Sequence, residues 1–521
     1  MAELNRRDVL RGIAGAAVVT PVLGAATSAA ALVKTPEAAG APAPEQLHLQ
    51  FGADASREIA VSWAAPQRVA RPVLRLGAPG HGLGTEIPAE EKVYTDAMTG
   101  QTVFTYHAQA RHLHPDHGYA YEVTHRGGST LGGSFRTAPD GRSKGFRFTS
   151  FGDQAIPAKV GLGLGPATPN AGYIVDAVES LDPLFHLLNG DLCYANVSDL
   201  PIDTWNSFFA NNQRSASKRP WMPCAGNHEN EVGNGPEGYL SYQTRFSLPD
   251  NGSREFQGNW YAFTVGPIRV VSINNDDVCL QDGAFSAYRR DHIADYKAKG
   301  YDPYIRGYSR GEQKRWLERT LKQAHHDPAI DWIIVCMHQV AMSSAHFNGA
   351  DLGIRQEFLP LFDKYGVDLV VAGHEHHFER TFAVRGVLQD SGSLLTPAAH
   401  GDDAALIDTS KGAVHMIIGG GGHSSATPVG AFDNPHDGVL IYDVGPGDPQ
   451  TQHASKTTTE SAAWSAYRDL QTPYGFASFD FEPHAPGGRT TIKVAHYGAT
   501  LGSPDYVEMD TFTLSKPRHH H

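Results

Sequence analysis

Five times along this chain an apolar run ends in side chains that bind cations: Gly152-Asp153 after Phe146–Phe151, GDLCY (Gly190–Tyr194) after Leu184–Leu188, GNHE (Gly226–Glu229) after Trp221–Cys224, His338 after Trp332–Met337, and GHEH (Gly373–His376) after Val367–Ala372. Two more strand-like runs, Ile268–Ile273 and His415–Ile418, share the pattern. Stretches Tyr173–Glu179, Glu312–His325 and Arg355–Tyr365 between them carry helical periodicity. Strands alternating with helices predict an α/β layered domain over 145–516, a β-sandwich flanked by helices, in which ligands gather outside the strand ends. The tail Tyr474–Leu514 returns to β pattern, and Asp448–Glu460 reads as a polar loop.

The first 145 residues read differently. Asn5-Arg6-Arg7 before the apolar stretch Gly12–Ala31, with small residues at Ser28-Ala29-Ala30, looks like a twin-arginine export signal over 1–31, which places the mature protein in an extracellular or periplasmic space. That stretch is too short and too rich in Ala and Gly for a membrane span. A Pro/Ala-rich linker follows at 32–43. Runs 46–51, 59–63, 73–76, 103–108 and 119–123 then alternate in polarity. They predict a small all-β sandwich over 44–139, and Leu113-His114-Pro115 ahead of Tyr119 and Tyr121 resembles the fibronectin type III pattern. His519–His521 reads as a tag remnant.

A formal charge of −13 argues against nucleic acid as a partner, since phosphate backbones are held by clustered Lys and Arg. Cys193, Cys224, Cys279 and Cys336 lack C-x-x-C spacing and read as buried or bridged thiols, with the pairing open. Oligomeric state is open as well. Histidines 112, 114 and 117 read as surface residues, and Gly419–Gly422 before His423 as a tight turn near the site.

Taken singly, each aspartate in the blocks reads as a turn residue and Tyr194 as a packing aromatic. Together they say more. Gly190 lets the chain turn sharply into Asp191, and Tyr194 sets a phenol beside that carboxylate. With a normal pKa of about 10, a phenol ionises at neutral pH only against a strong Lewis acid. Asn227 offers a neutral oxygen, while the adjacent His228 faces another way, towards substrate. His374 and His376, two residues apart at a strand end, project into one cleft, and His338 completes a donor set for a two-metal hydrolase.

The order GD, GDxxY, GNHE, strand-end His and GHxH, with WMPCAGNHE (Trp221–Glu229) and HEHHFER (His374–Arg380), resembles the purple acid phosphatases of the calcineurin-like metallophosphoesterase superfamily, in their longer plant-like form. The resemblance implies an iron(III) site from Asp153, Asp191, Tyr194 and His376. It implies a divalent site (iron, zinc or manganese) from Asp191, Asn227, His338 and His374, with Asp191 shared. Substrate phosphate would meet Asn227, His228 and His346, the last as general acid.

The chain departs from the family in two places. GDQA puts Ala155 where a glycine is usual, and His346 is followed by Phe347 where plant members often carry paired histidines. Segment 275–308 is longer than the usual connection and reads either as a cover for the cleft or as a solvated loop. The implied activity is hydrolysis of small phosphate monoesters by metal-activated water, without a Ser, Cys or His nucleophile. A phosphodiesterase or nucleotide hydrolase on the same metals is the nearest alternative, and a secreted binding protein with a relict site a more distant one.

Overall fold

The computed structural model describes residues 41–157, 167–231, 238–280, 307–391, 394–423, 427, 437–444 and 455–518. The export-signal segment, most of the linker, the middle of 275–308 and the terminal histidines lie outside the described residues. Among those described, no helix is long and apolar enough to cross a membrane.

The N-terminal domain is all-β. One four-stranded sheet runs Glu45–Phe51, Ile59–Ala65, Thr102–Ala110, Glu90–Thr95, and a second runs Thr85–Pro88, Val73–Gly77, Gly118–Thr124, Leu131–Arg136, every pairing antiparallel. Each expected strand is present. In Gly118–Thr124 the strict alternation buries Tyr119, Tyr121 and Val123, as a pleated ribbon with one face on a core requires. Strand Glu45–Phe51 is buried almost throughout because its other face meets the α/β domain. Gln46 donates to Asn206 at 2.7 Å, the Leu47 amide to Gln213 at 2.9 Å, and the Phe51 ring lies 5.7 Å from that of Phe185.

The partner of that strand is helix Pro201–Ala216, which the sequence reading missed. Its apolar residues Ile202, Trp205, Phe208 and Phe209 recur at helical spacing, and Pro201 occupies the first turn, where a missing amide hydrogen costs nothing.

The α/β domain stacks two seven-stranded sheets. One is ordered Trp221–Cys224, Phe185–Asn189, Phe146–Phe151, Tyr474–Ala485, Arg489–Ala499, Val507–Pro517, Leu406–Asp408. The other is ordered Tyr261–Val265, Ile268–Ser272, Trp332–Cys336, Leu369–Ala372, Val414–Ile418, Phe378–Thr381, Ser465–Arg468. The metal-type blocks follow strands that pair in parallel, so their C-terminal ends share one rim. Such strands are buried on both faces, which is why they read as unbroken apolar runs. Asn189 joins the sheets: its carbonyl receives His338 Nδ1 at 2.7 Å and its side chain receives the Cys336 thiol at 3.3 Å.

Two expectations need correction. Arg355–Tyr365 is not one helix but the end of Leu352–Glu357 followed by Leu359–Tyr365; Pro360 lacks an amide hydrogen and starts a new helix in its first turn. Within the supposed polar loop, Ser455–Ser461 is a strand paired antiparallel with Asp437–Val444. Its threonines are polar yet β-branched, and the branching sets the backbone preference. All four cysteines are buried and unbridged.

Candidate metal centre

The blocks converge on one buried cluster with two halves. In the first, the Tyr194 hydroxyl lies 3.1 Å from Asp153 Oδ1 and 3.3 Å from His376 Nε2, and His376 Nε2 lies 3.2 Å from Asp153 Oδ1. In the second, His338 Nε2 sits 3.0 Å from Asp191 Oδ2 and 3.0 Å from Asn227 Oδ1, while donor atoms of Asp191, His338 and His374 all lie within 4.8 Å of one another. His374 and His376 thus serve the two halves separately.

Local backbone chemistry brings them there. Asp153, Asp191, Tyr194 and His374 adopt φ of 60°, 51°, 61° and 71°, left-handed values that cost a non-glycine residue about 1 kcal/mol each. Tertiary hydrogen bonds hold them: the Asp153 amide donates to Gly190 O at 3.0 Å and the His374 amide to Asp153 Oδ2 at 2.9 Å. Ala155, the departure from the family glycine, takes φ 61°, so the turn is kept by an alanine in a glycine conformation. Gly226 and Gly373 are needed for space. A Cβ there would lie 2.3 Å from Asp191 Oδ1 and 2.4 Å from Asp153 Oδ2.

Glu229 was named only as part of a block, but it has a definite task. Its buried carboxylate accepts the amides of Asp191 (2.9 Å), Leu192 (2.8 Å) and Gly226 (2.8 Å), tying the GDLCY turn to the GNHE turn. Burial, then the neighbouring Asp191 charge, pushes its pKa up to about 8. Three converging amides on one acidic side chain leave no mark in sequence beyond the presence of a glutamate in the block. His423 is a second addition: its ring lies 4.1 Å from that of Tyr194 and 4.6 Å from that of His376, and burial keeps it neutral. The tight glycine turn before it does pack on the site, since Gly421 donates to Gly152 O and His423 to Asp153 O, both at 2.9 Å.

His228 stands beside this cluster. Its amide donates to Asp191 Oδ1 at 2.9 Å, its Nδ1 meets Asn196 Oδ1 at 2.8 Å, and its Nε2 is 3.8 Å from Asp191 Oδ2. The loop bearing His346 is fastened to the GHEH block, with Asn348 donating to His374 O at 2.7 Å and the Gly349 amide to Glu375 at 2.5 Å. His346 is half-buried on it, and the next ring, Phe347, lies 6.2 Å from that of His376.

The donor set suits cations. Carboxylates, carboxamide, phenol and imidazoles crowd together in a largely buried site, a combination that binds hard and borderline metal ions. Tyr194 is held well above its ordinary pKa by burial and then by Asp153 and Asp191, so a nearby cation is what would ionise it. Asp191 is held below the usual carboxylate range, the penalty of burial being outweighed by His338, His228 and His374. His338 Nδ1 is committed to Asn189 O, which fixes the ring with Nε2 facing the cluster.

Comparison with known proteins agrees with this geometry. The profile described as the purple acid phosphatase N-terminal domain matches residues 44–149, and that of the calcineurin-like phosphoesterases matches 168–378, a span holding every cluster residue named above except Asp153 and His423. An uncharacterized protein of Mycobacterium tuberculosis is 49% identical over 488 residues, covering 92% of this chain and 88% of that one. The Glycine max purple acid phosphatase is 26% identical over 403 residues, 74% of each chain. The yellow lupin purple acid phosphatase structure shares the fold at a TM-score of 0.65 and 21% identity, over 91% of this chain and 75% of that one. With its all-β first domain and its ligand-bearing strand ends, the chain belongs to the purple acid phosphatases, metal-dependent enzymes of the calcineurin-like phosphoesterase superfamily.

Proposed function

We propose that this chain is an exported acid phosphatase that hydrolyses phosphate monoesters of small molecules. Asp153, Tyr194 and His376 would hold iron(III), and Asn227, His338 and His374 a divalent iron, zinc or manganese ion, with Asp191 shared. The observation that carries the reading is the meeting of the Asp153–Tyr194–His376 and Asp191–Asn227–His338 groups at 3.0–3.3 Å on one rim. When bound, such a metal pair neutralises phosphate charge and supplies an activated water as nucleophile.

The chain's own residues do the rest. His228, oriented by Asn196, donates a hydrogen bond to a phosphate oxygen. His346, on the loop fastened to GHEH, delivers a proton to the leaving alkoxide. Asn227 turns its carboxamide on the same oxygens. All four cysteines are buried, which fits a reaction without a thiol nucleophile.

The test joins metal analysis and a visible spectrum of the purified protein with a kinetic panel of monoesters, diesters and nucleotides. Iron in the protein, a visible band lost in Tyr194→Phe and a preference for monoesters are expected. A preference for diesters would move the assignment to phosphodiesterase, and full activity without metal would end it. Export is tested separately: Arg6→Lys with Arg7→Lys should keep the protein in the cytoplasm.

A further inference from the structure

A cleft of about 550 Å³ opens between the two domains, away from the metal centre. Phe146, on its wall, begins the strand that ends at Phe151 just before Asp153, and Leu184 precedes the strand that leads to Asp191. Cleft and centre therefore lie at opposite ends of one sheet, roughly 20 Å apart at the ordinary rise of a strand. Nothing in the phosphatase reaction uses this region.

Its charge is unlike that of the chain as a whole, which is −13. Arg136, Lys144, Arg147, Lys218 and Arg219 line it with Asp116 and Asp182, while Glu179 and Asp480, which pairs with Arg147 at 2.7 Å, stand behind the lining. The cations share their carboxylates: Arg136 (2.8 Å) and Lys144 (3.3 Å) both meet Asp116, while Arg219 (2.6 Å) and Lys218 (3.7 Å) both meet Glu179. Arg219 is nearly buried and has a carboxylate on either side, so it is a fixed strut. Lys144 and Lys218 are different. They are more than half exposed, and their ammonium groups sit at the longer distances, so each is able to swing onto an incoming anion.

The floor is apolar. Tyr119 and Phe135 stack with ring centroids 5.5 Å apart, and Phe146 extends that surface. Positive groups over a low-dielectric floor focus the field into the cavity, and interdomain clefts of this size are common ligand sites.

We propose that this cleft is a second, non-catalytic binding site for a small organic polyanion, gripped by Lys144 from the N-terminal side and Lys218 from the catalytic side. The site is independent of the phosphatase assignment. Fluorescence anisotropy of a pyrene trisulfonate, titrated with the metal-loaded full chain at low salt, tests it. Saturable binding is expected, weakened roughly tenfold or more in the Lys144→Gln/Lys218→Gln double variant, a loss of about 1.4 kcal/mol shared between two exposed contacts. Asp191→Ala should bind as the wild type does. Both lysines are surface residues, and a thermal melt shows that the double variant folds. The proposal falls if the wild type does not bind, if the double variant binds equally well, or if Asp191→Ala abolishes binding, which would place the anion at the metal centre.

Discussion

His48 in the N-terminal domain and His338 at the metal centre are both shut off from solvent, yet their chemistry points in opposite directions. The ring nitrogens of His48 face Gln46 O at 2.6 Å and Arg245 O at 3.0 Å, and burial outweighs these carbonyls to pull its pKa down to about 4. For His338 burial pulls the same way, but the Asp191 carboxylate 3.0 Å distant reverses it and lifts the pKa to about 10. Burial by itself therefore makes a histidine a neutral packing residue. Carboxylates beside it make the cavity a place for positive charge, which a proton fills in the metal-free chain and a metal ion fills better.

The strongest way to break this contrast is to remove the negative charge. Asp191→Ala should lose more than about 10⁴-fold in kcat together with bound metal, because water activation by the cations is the largest part of the chemistry. Full activity with full metal content would show that Asp191 is not needed to hold the metals and that its charge is not what prepares the cavity for them. Next in size is His346→Ala. If His346 donates the proton, kcat should fall by about 10²- to 10⁴-fold on alkyl phosphates and far less on nitrophenyl phosphate, with metal content intact. Equal losses on both substrates would make it a phosphate-binding residue instead.

At the other pole, His48 should appear as acid sensitivity. An unfolded histidine takes up a proton near pH 6.5, whereas folded His48 resists until about pH 4. Stability from this residue is thus complete above pH 6.5, declines as pH falls to about 4 and is level below, a loss of about 3 kcal/mol. His107, buried beside Ser62 and Thr244 O and also held neutral, adds with the same sign. Denaturant titrations of the metal-loaded protein between pH 7 and 4 should show a shallower decline for His48→Gln than for the wild type. Parallel curves would mean that the two carbonyls offset burial, so that the folded ring takes up its proton at the same pH as the unfolded one.

Much of this was legible before folding. The five ligand blocks could be read because parallel strands are apolar on both faces and end abruptly at a common rim, so chemistry appears as punctuation after each run. Asn227, His228, His374 and His376 stood next to such an end and were found. Glu229 was passed over in its role because hydrogen bonds to three backbone amides depend on where two distant turns meet. Helix Pro201–Ala216 does carry a sequence signature, the helical spacing of Ile202, Trp205, Phe208 and Phe209. In Ser455–Ser461 polarity suggests a loop, but the β-branching of its threonines favours the strand. Backbone strain at Asp153, Asp191, Tyr194 and His374 has no sequence signature, since these residue types are chosen by the ligands they present.

That strain gives the smallest and sharpest comparison between the two regions. Ala155 beside the metal ligands and His112 on the N-terminal domain have nearly the same left-handed backbone, φ 61° and 58°, but Ala155 is fully buried and His112 is exposed. Glycine relieves about 1 kcal/mol of left-handed strain at either position and returns part of it through the added freedom of the unfolded chain. At His112 nothing else changes, so His112→Gly should be neutral to mildly stabilising. At Ala155 a packed methyl is also lost, a further cost of about 0.8 kcal/mol. Ala155→Gly should therefore come out about 1 kcal/mol less favourable than His112→Gly in denaturant unfolding. If instead Ala155→Gly is the more stabilising of the two, the Ala155 methyl is crowded in its site, and the turn after Asp153 carries strain from its side chain as well as its backbone.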